Sequence, residues 1–326
     1  MRLPPLLVLA LLSCIWGTSF LFTKVTVEEV PPLTLVEGRL LLAGAVLLLL
    51  MRRLGLSLSL TPRLWAAITF MGLVNNVIPF TLITWGQQHI DSSLAAILNS
   101  TMPLFTVVIA PLWIKESLTG ERAAGVLIGF AGVFVLLGAD LGAIAESSTL
   151  GQLAIIGASL GYATGTVFAR RYLQERPPVV FAASQMVVAS ALLLPVALAV
   201  DTPFDLRVSA KAALAWTALG VLSSGLAYII FFWLIQRIAA IQFSLIAYLI
   251  PLVAVFLGWL VLDERLGADS FGGLALIVLG VFIVNGTWRA LLRRLRRGAV
   301  PVEPPPEAEP NTQGAGLADR DSTEAG

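Results

Sequence analysis

The sequence predicts an all-α polytopic membrane protein in which ten transmembrane helices form a 5+5 inverted-topology repeat. Three observations predict it: an apolar composition, ten apolar stretches near bilayer length, and an internal repeat. The 326 residues are 57% hydrophobic and 13% charged, with a mean hydropathy of +0.89. Soluble domains are about 45–50% apolar and about 25% charged. Because so few charges cannot cover the surface of a soluble globule, much of this surface is expected to face lipid.

The rarest residue types exclude several classes of protein. A single cysteine, Cys14, excludes a disulfide framework and any zinc or iron–sulfur site built on cysteines. A single histidine, His89, excludes a metal centre with several histidine ligands. The formal net charge of +1 gives no reason to expect a nucleic-acid partner.

The apolar stretches follow one another along the chain, separated by short polar segments or by Pro and Gly. The first follows Arg2 as a signal peptide does, but no small-residue cleavage pattern comes after it, so we take it as a helix. The predicted spans are residues 4–22, 33–50, 64–84, 93–113, 121–138, 151–170, 179–199, 212–235, 242–262 and 269–287.

Lysine and arginine are distributed unequally between the two sides of these spans. Of the 21 residues, sixteen fall on one side, four fall on the other, and Arg39 lies within a span. The positive-inside rule assigns the richer side to the cytoplasm. The sequence therefore predicts a multi-pass protein of the plasma (cytoplasmic or inner) membrane with both termini in the cytoplasm. The four residues on the poorer side are Lys24, Arg207, Lys211 and Arg265.

The chain matches itself at an offset of 148 residues. The matches include rare residue types, which common apolar composition does not align at one offset. Since each copy holds five predicted spans, the second copy must cross the membrane in the opposite sense to the first, as in many secondary transporters. The aligned pairs include Trp85 with Trp233, Gln88 with Gln236, Pro103 with Pro251 and Glu116 with Glu264.

The repeat divides the chain into three parts. Residues 1–139 form the first repeat, residues 140–288 form the second, and residues 289–326 form a tail. After Arg297 the tail is rich in Pro, Glu, Gly and Ala and has little to bury. It is therefore predicted to be a disordered cytoplasmic segment.

Two segments carry a family resemblance: SCIWGTSFLFTK at 13–24 and its echo SLGYATGTVFARR at 159–171. With the Pro103-to-Glu116 and Pro251-to-Glu264 blocks, they make the chain resemble the drug/metabolite transporter superfamily, specifically an EamA-type permease with two tandem EamA domains. The resemblance implies ten helices and transport of small metabolites, amino acids or amines without a metal or organic cofactor. One departure is Tyr162-Ala163 in the second half, where the first has Trp16-Gly17.

Polar and aromatic residues within the spans are the candidate substrate-binding residues. Trp16 is flanked by small residues, so its ring can line a cavity or simply pack between helices. Asn75 and Asn76 are adjacent amides in the third span, where each needs a partner on another helix or access to water. Tyr162 and Tyr228 lie near span centres, and each has a hydroxyl that needs a hydrogen-bond partner.

Asn99 and Tyr248 precede Pro103 and Pro251 at similar positions in the two halves. A proline removes a helical hydrogen bond about one turn earlier, and paired breaks of this kind point to a transporter's binding site. An ordinary proline kink without a ligand is the alternative.

Arg39 and Glu37 are charged residues inside the second span. Arg39 is a candidate carboxylate anchor, and Glu37 is a candidate proton-coupling residue; a snorkelling arginine or a structural ion pair are the alternatives. Glu116 and Glu264, at span ends, are predicted to cap the following helix or to pair with Lys115 and Arg265.

Together these features predict a secondary transporter, not an enzyme, whose substrate is a small metabolite, most simply an amino acid or amine, with export favoured. The alternative is an integral membrane enzyme acting on lipid. Such an enzyme needs clustered acids, histidines or nucleophiles within the spans, and Glu37 is the only acid well inside one. The expected partners are the substrate and membrane lipids, with no nucleic acid, and both a monomer and a homodimer remain open.

Overall fold

The computed structural model describes residues 4–58, 60–114, 118–137, 147–172, 177–235, 237–238, 243 and 245–286, and all regular structure in these ranges is helical. These helices belong to one unit, Met1–Thr287; residues 288–326, with the predicted tail, lie outside the described residues. The described helices are α1 (Pro5–Val27), α2 (Pro32–Arg53), α3 (Pro62–Gly86), α4 (Ser92–Asn99 and Met102–Ile114), α5 (Gly120–Leu137), α6 (Ser147–Tyr172), α7 (Pro178–Val200), α8 (Ala210–Ala218, Leu219–Leu226 and Ala227–Ile235), α9 (Ile246–Leu262) and α10 (Ala268–Val284).

Eight of the described helices, α1 to α8, are long and apolar enough to cross a membrane. The other two, α9 and α10, are apolar and have 17 residues each. Proline stands in the first turn of α1, α2, α3 and α7, where its missing N–H would have no helical partner.

The first helix extends beyond the predicted span, which ended at residue 22. The Nζ of Lys24 donates hydrogen bonds to the carbonyl oxygens of Gln87 at 2.8 Å and Ile90 at 2.9 Å. These carbonyls follow the C-terminus of α3, where a cation is favourable. Lys24 ends the apolar run in the sequence, but because its charge is satisfied by these carbonyls the helix continues past it.

Two of the described helices contain a π turn, at matching places in the two halves. It spans Leu73–Val77 in α3 and Leu219–Leu226 in α8. The repeat offset of 148 brings Asn75 and Asn76 onto Ser223 and Ser224 within these turns. Turns of this kind are often found at functional sites.

Of the paired proline breaks expected from the sequence, the described residues show the one in α4. That helix is interrupted at Ser100 and Thr101, before Pro103, whereas α9 continues through Pro251. The carbonyl oxygen of Asn99, which Pro103 deprives of its helical donor, has the hydroxyl of Ser159 in α6 at 3.4 Å. Pro251 lies within the first two turns of α9, which begins at Ile246.

Helices of the first half pack mainly on helices of the second. The most extensive contact joins α5 to α10, and further contacts join α2 to α7, α1 to α9, and α6 to both α3 and α4. Glycines bring α5 and α10 together: a Cβ on Gly280 would lie 2.5 Å from the carbonyl oxygen of Gly125. The arrangement leaves α2, α3, α6 and α8 around one buried region.

Candidate functional site

Arg39 lies at the centre of this region and is only 8% exposed. Its Nε donates a hydrogen bond of 2.7 Å to the hydroxyl of Ser224 in the π turn of α8. Its guanidinium carbon lies 3.8 Å from the ring centroid of Phe80 in α3, a cation–π geometry. The second span thus contributes a cation that contacts both halves of the chain.

Two tyrosines complete the surroundings of this cation. The phenol groups of Tyr162 in α6 and Tyr228 in α8 lie close enough to the guanidinium to feel its charge. Tyr162 also packs edge-on against Phe80, with ring centroids 6.4 Å apart. A neutral hydroxyl next to a guanidinium can donate a hydrogen bond to an anion that the guanidinium binds.

Asn75 joins this group through Tyr228, to which it is hydrogen bonded by its side chain. It also lies against Gly165 in α6, where a Cβ would be 2.9 Å from its Oδ1. The absence of a side chain at Gly165 therefore makes space for the side chain of Asn75. We refer to the six residues Arg39, Asn75, Phe80, Tyr162, Ser224 and Tyr228 as the Arg39 cluster.

Trp16 is connected to the Arg39 cluster through one intervening aromatic ring, that of Phe231. Its ring centroid is 6.0 Å from that of Phe231, which in turn lies 6.4 Å from that of Tyr228. Asn99 is on another side: the hydroxyl of Ser159 lies 3.4 Å from its Oδ1. Ser159 precedes Tyr162 by three residues, so both lie on the same face of α6.

Glu37 does not pair with Arg39. Two residues apart on a helix, they point to nearly opposite sides. Its Oε1 accepts a hydrogen bond of 2.5 Å from the hydroxyl of Ser190 in α7. Its Oε2 is buried and has no hydrogen-bond partner among the described residues. The carboxylate thus has one unmet acceptor between α2 and α7.

Asn76 and Tyr248 each have a hydrogen-bond partner outside the Arg39 cluster. Asn76 is fully buried, and its Nδ2 donates a 3.1 Å hydrogen bond to Oε1 of Gln185 in α7. The hydroxyl of Tyr248 accepts a 3.3 Å hydrogen bond from Nδ2 of Asn285. The structure therefore groups Tyr248 with the end of α10.

Sequence reasoning missed Phe80, Ser224, Gln185 and Ser190. Phe80 is an apolar residue in an apolar span and gives no signal. Ser224 is the repeat counterpart of Asn76, so the offset that revealed the repeat was the one available signal. Gln185 and Ser190 are polar residues in the apolar helix α7, and the rule applied to Asn75 and Asn76 selects them as well.

Among the described residues, three carboxylates join the two halves at one face of the helices. Glu264 accepts hydrogen bonds from the backbone N–H groups of Ser92 at 2.8 Å and Ser93 at 2.9 Å, and from the Ser93 hydroxyl. It therefore caps the start of α4, not the helix that follows it as the sequence suggested. Glu116 lies outside the described residues.

The other two carboxylates act in the same way. Oδ2 of Asp201, after α7, accepts hydrogen bonds from the N–H of Thr34 at 2.7 Å and from its hydroxyl at 3.0 Å. Glu29, after α1, accepts from the N–H and the hydroxyl of Ser209, each at 2.6 Å. We call these three contacts the carboxylate ties.

The pKa values of two carboxyl groups at this face, Glu29 and Asp91, are shifted in opposite directions. The hydroxyl and N–H of Ser209, with a smaller contribution from Lys211, hold the pKa of Glu29 below its usual value. Desolvation and the negative charge of Glu264 raise the pKa of Asp91, and Lys24 opposes this in part. Glu29 is thus held as a carboxylate by the hydrogen bonds that make its tie.

Known proteins resemble the chain along nearly its whole helical part. The sequence pattern of the EamA-like transporter family matches residues 4–138 and again residues 149–286. The uncharacterized transporter YoaV of Bacillus subtilis is 25% identical over 276 residues, which cover 85% of this chain and 94% of that protein. The uncharacterized inner membrane transporter YedA of Escherichia coli K12 is 28% identical over 276 residues, covering 84% and 88%.

A solved crystal structure shares the fold. It superposes with a TM-score of 0.63 at 24% sequence identity and covers 88% of this chain and 97% of the other.

Proposed function

We propose that this chain, which belongs to the EamA-like transporter family, is a secondary transporter that exports a small, partly apolar metabolite, an amino acid or amine, by alternating access. The observation that carries this proposal is the Arg39 cluster. Its six residues come from two helices in each of the two family matches, namely α2 and α3, and α6 and α8. A ligand bound there contacts both halves, as a carrier's substrate does.

Inverted topology supports the mechanism. At a rise of about 1.5 Å per residue, the 17 residues of α9 or α10 measure about 26 Å, close to the bilayer's hydrocarbon thickness of about 30 Å. With these two helices crossing, each half has five spans and the second half is inverted. The contacts of α1 with α9 and of α6 with α4 are equivalent under that exchange.

The carboxylate ties supply the conformational part of the proposal. All three join one half to the other at a single face, and in this proposal they belong to the state in which that face is closed. In alternating access, the ties break when the face opens. Both termini lie in the cytoplasm in this scheme, which places the ties on the outer side of the cytoplasmic membrane.

Counterflow in proteoliposomes tests the function. Purified protein is reconstituted into vesicles loaded with millimolar unlabelled amino acids or amines, and entry of the same labelled compound is followed. A carrier gives saturable uptake that unlabelled internal substrate accelerates. Flux that is linear in concentration, or covalent turnover of a labelled lipid instead of flux, contradicts the proposal.

Direction is tested in the same vesicles. Protein oriented by a cytoplasmic-side tag is assayed from each side under an imposed proton gradient. We expect net movement away from the cytoplasmic face. Net accumulation on the cytoplasmic side contradicts export.

A further inference from the structure

We infer that Arg39 binds a carboxylate group of the transported substrate, so that amino acids and other organic carboxylates are carried whereas amines lacking a carboxylate are not. This inference rests on the proposed function and narrows its substrate class. It distinguishes amino acids from amines, which the sequence alone did not separate as substrates.

The first step is the charge of Arg39. A guanidinium is always protonated, and a buried cation is costly unless an anion or hydrogen bonds compensate it. In the described part of the chain, Arg39 makes its hydrogen bond through Nε, to the neutral Ser224, and no Asp or Glu carboxylate lies within ion-pair distance of it. Glu37, two residues away, accepts from Ser190 on another side of α2. The protein therefore holds a buried positive charge without a counter-anion among its described side chains.

The second step is the fixed position of that charge. Phe80 lies under the guanidinium plane at 3.8 Å, and Ser224 holds Nε. A guanidinium oriented in this way can present a pair of N–H donors to the two oxygens of a carboxylate, a bidentate geometry that a lysine cannot reproduce. The site is thus built before the ligand arrives.

The third step is the chemistry around it. The phenols of Tyr162 and Tyr228 lie near the guanidinium and are neutral groups, as is the amide of Asn75. A carboxylate can accept hydrogen bonds from these groups as well as from Arg39. An ammonium group without a carboxylate brings a second positive charge next to Arg39, where the described residues of the cluster contain no acid to offset the repulsion.

The fourth step is the place of the charge between the halves. Arg39 belongs to the first family match and Ser224 to the second. A carboxylate bound by Arg39 gives the buried guanidinium a counter-anion, and a paired guanidinium is better suited than an unpaired one to the low-dielectric interior of the bundle. Substrate binding therefore favours the movement that carries it across.

The test uses matched compounds that differ only in the groups at issue. One set is L-leucine, leucinamide, isopentylamine and 4-methylpentanoate; the second is L-phenylalanine, phenylalaninamide, phenethylamine and 3-phenylpropanoate. Affinity is measured from thermal stabilisation of the full-length purified protein and from counterflow. In at least one set we expect a carboxylate-bearing compound to bind at least tenfold more tightly than the amide and the amine, about 1.4 kcal/mol.

Variants then assign the effect to Arg39. Arg39→Gln and Arg39→Lys are expected to lose at least tenfold in affinity for the carboxylates. Arg53→Gln, an exposed position of the same helix, serves as the matched control and keeps wild-type affinity. If Arg39→Gln fails to fold, Arg39→Lys still tests the bidentate geometry because it keeps the positive charge. The selectivity of the wild-type protein among the compounds tests the inference without any variant.

Two results contradict the inference in different ways. An amine or amide that binds as tightly as its carboxylate counterpart, or undiminished carboxylate affinity in both Arg39 variants, overturns the inference and leaves the transport function standing. Failure of every compound in both sets to bind or exchange overturns the proposed amino acid or amine substrate, and the inference with it.

Discussion

Two charged residues separated by one position, Glu37 and Arg39, have different surroundings. Arg39 contacts α3 and α8 and lies near Tyr162 in α6, whereas Glu37 contacts Ser190 in α7. The sequence located both charges within the second span but did not show that they are unpaired. That outcome depends on what each side of α2 packs against, and hydropathy does not carry this information.

Glu37 is the predicted proton-coupling residue, and the Glu37→Gln variant tests this role. A glutamine keeps the shape and the Ser190 contact but cannot bind or release a proton. We expect counterflow to persist and the acceleration of transport by a pH gradient to disappear. Counterflow and gradient-driven transport are measured in the same vesicles. Ser190→Ala serves as the control, because it removes the hydrogen bond to Glu37 but keeps a carboxyl group that can bind and release a proton. A Glu37→Gln protein still driven by the gradient contradicts the coupling role.

The buried amide pair Asn76 and Gln185 predicts a stability effect. Replacing Gln185 by Leu removes the acceptor of the Asn76 amide inside the helix bundle. We expect the free energy of unfolding to fall by about 1 kcal/mol, the size of interhelical hydrogen bonds in membranes. A double-mutant cycle with Asn76→Leu, measured by unfolding in mixed micelles, isolates the pair. A coupling energy near zero shows that the hydrogen bond does not stabilise the fold.

At the scale of elements, apolar length predicted helices α1 to α10 because a bilayer requires such stretches. It did not predict the end of α1, where Lys24 finds carbonyls of another segment. It also did not predict the π turns, which change no hydropathy. Within the Arg39 cluster, Arg39, Asn75, Tyr162 and Tyr228 were candidates because polar groups are rare in spans, whereas Phe80 contributes through geometry alone.

The contact between α5 and α10 gives a prediction with an internal control. A Cβ on Gly280 would lie 2.5 Å from the carbonyl oxygen of Gly125, whereas Gly272 on the same helix has nothing within 4 Å. Gly280→Ala should therefore lower the free energy of unfolding by about 1–3 kcal/mol through overpacking. Gly272→Ala should leave it unchanged or raise it by up to about 1 kcal/mol. Equal effects of the two variants on unfolding in micelles contradict this packing.

At the scale of the whole molecule, the carboxylate ties join the halves through backbone N–H groups at helix starts. Glu29 has a folded-state pKa below its usual value, so its stabilising effect is complete above the unfolded pKa of about 4.3 and is lost as the pH falls through the folded pKa. The contact between Glu29 and Ser209 is therefore expected to be stable at neutral pH and to weaken in acid.

Thermal unfolding from pH 7 to pH 3.5 measures this dependence. Glu29→Gln is expected to lower the unfolding midpoint at pH 7, and the difference from the wild type should shrink as the pH falls below about 4.3. The adjacent Glu28→Gln serves as the control and should show no such trend. A difference between Glu29→Gln and wild type that stays constant with pH argues against the tie.

The π turns of α3 and α8 determine which residues of these helices reach Arg39. Each residue added to a helix rotates everything after it by about 100°. Phe80 and Tyr228 both come shortly after a π turn, so their angular phase depends on the wider turn before them. Deleting one residue from either turn turns the aromatic ring away from Arg39 while the span keeps its hydropathy. Exact chain length, and not polarity, thus determines the position of two of the six residues of the Arg39 cluster. An alignment gap of a single position in either turn therefore marks a protein whose site differs from this one.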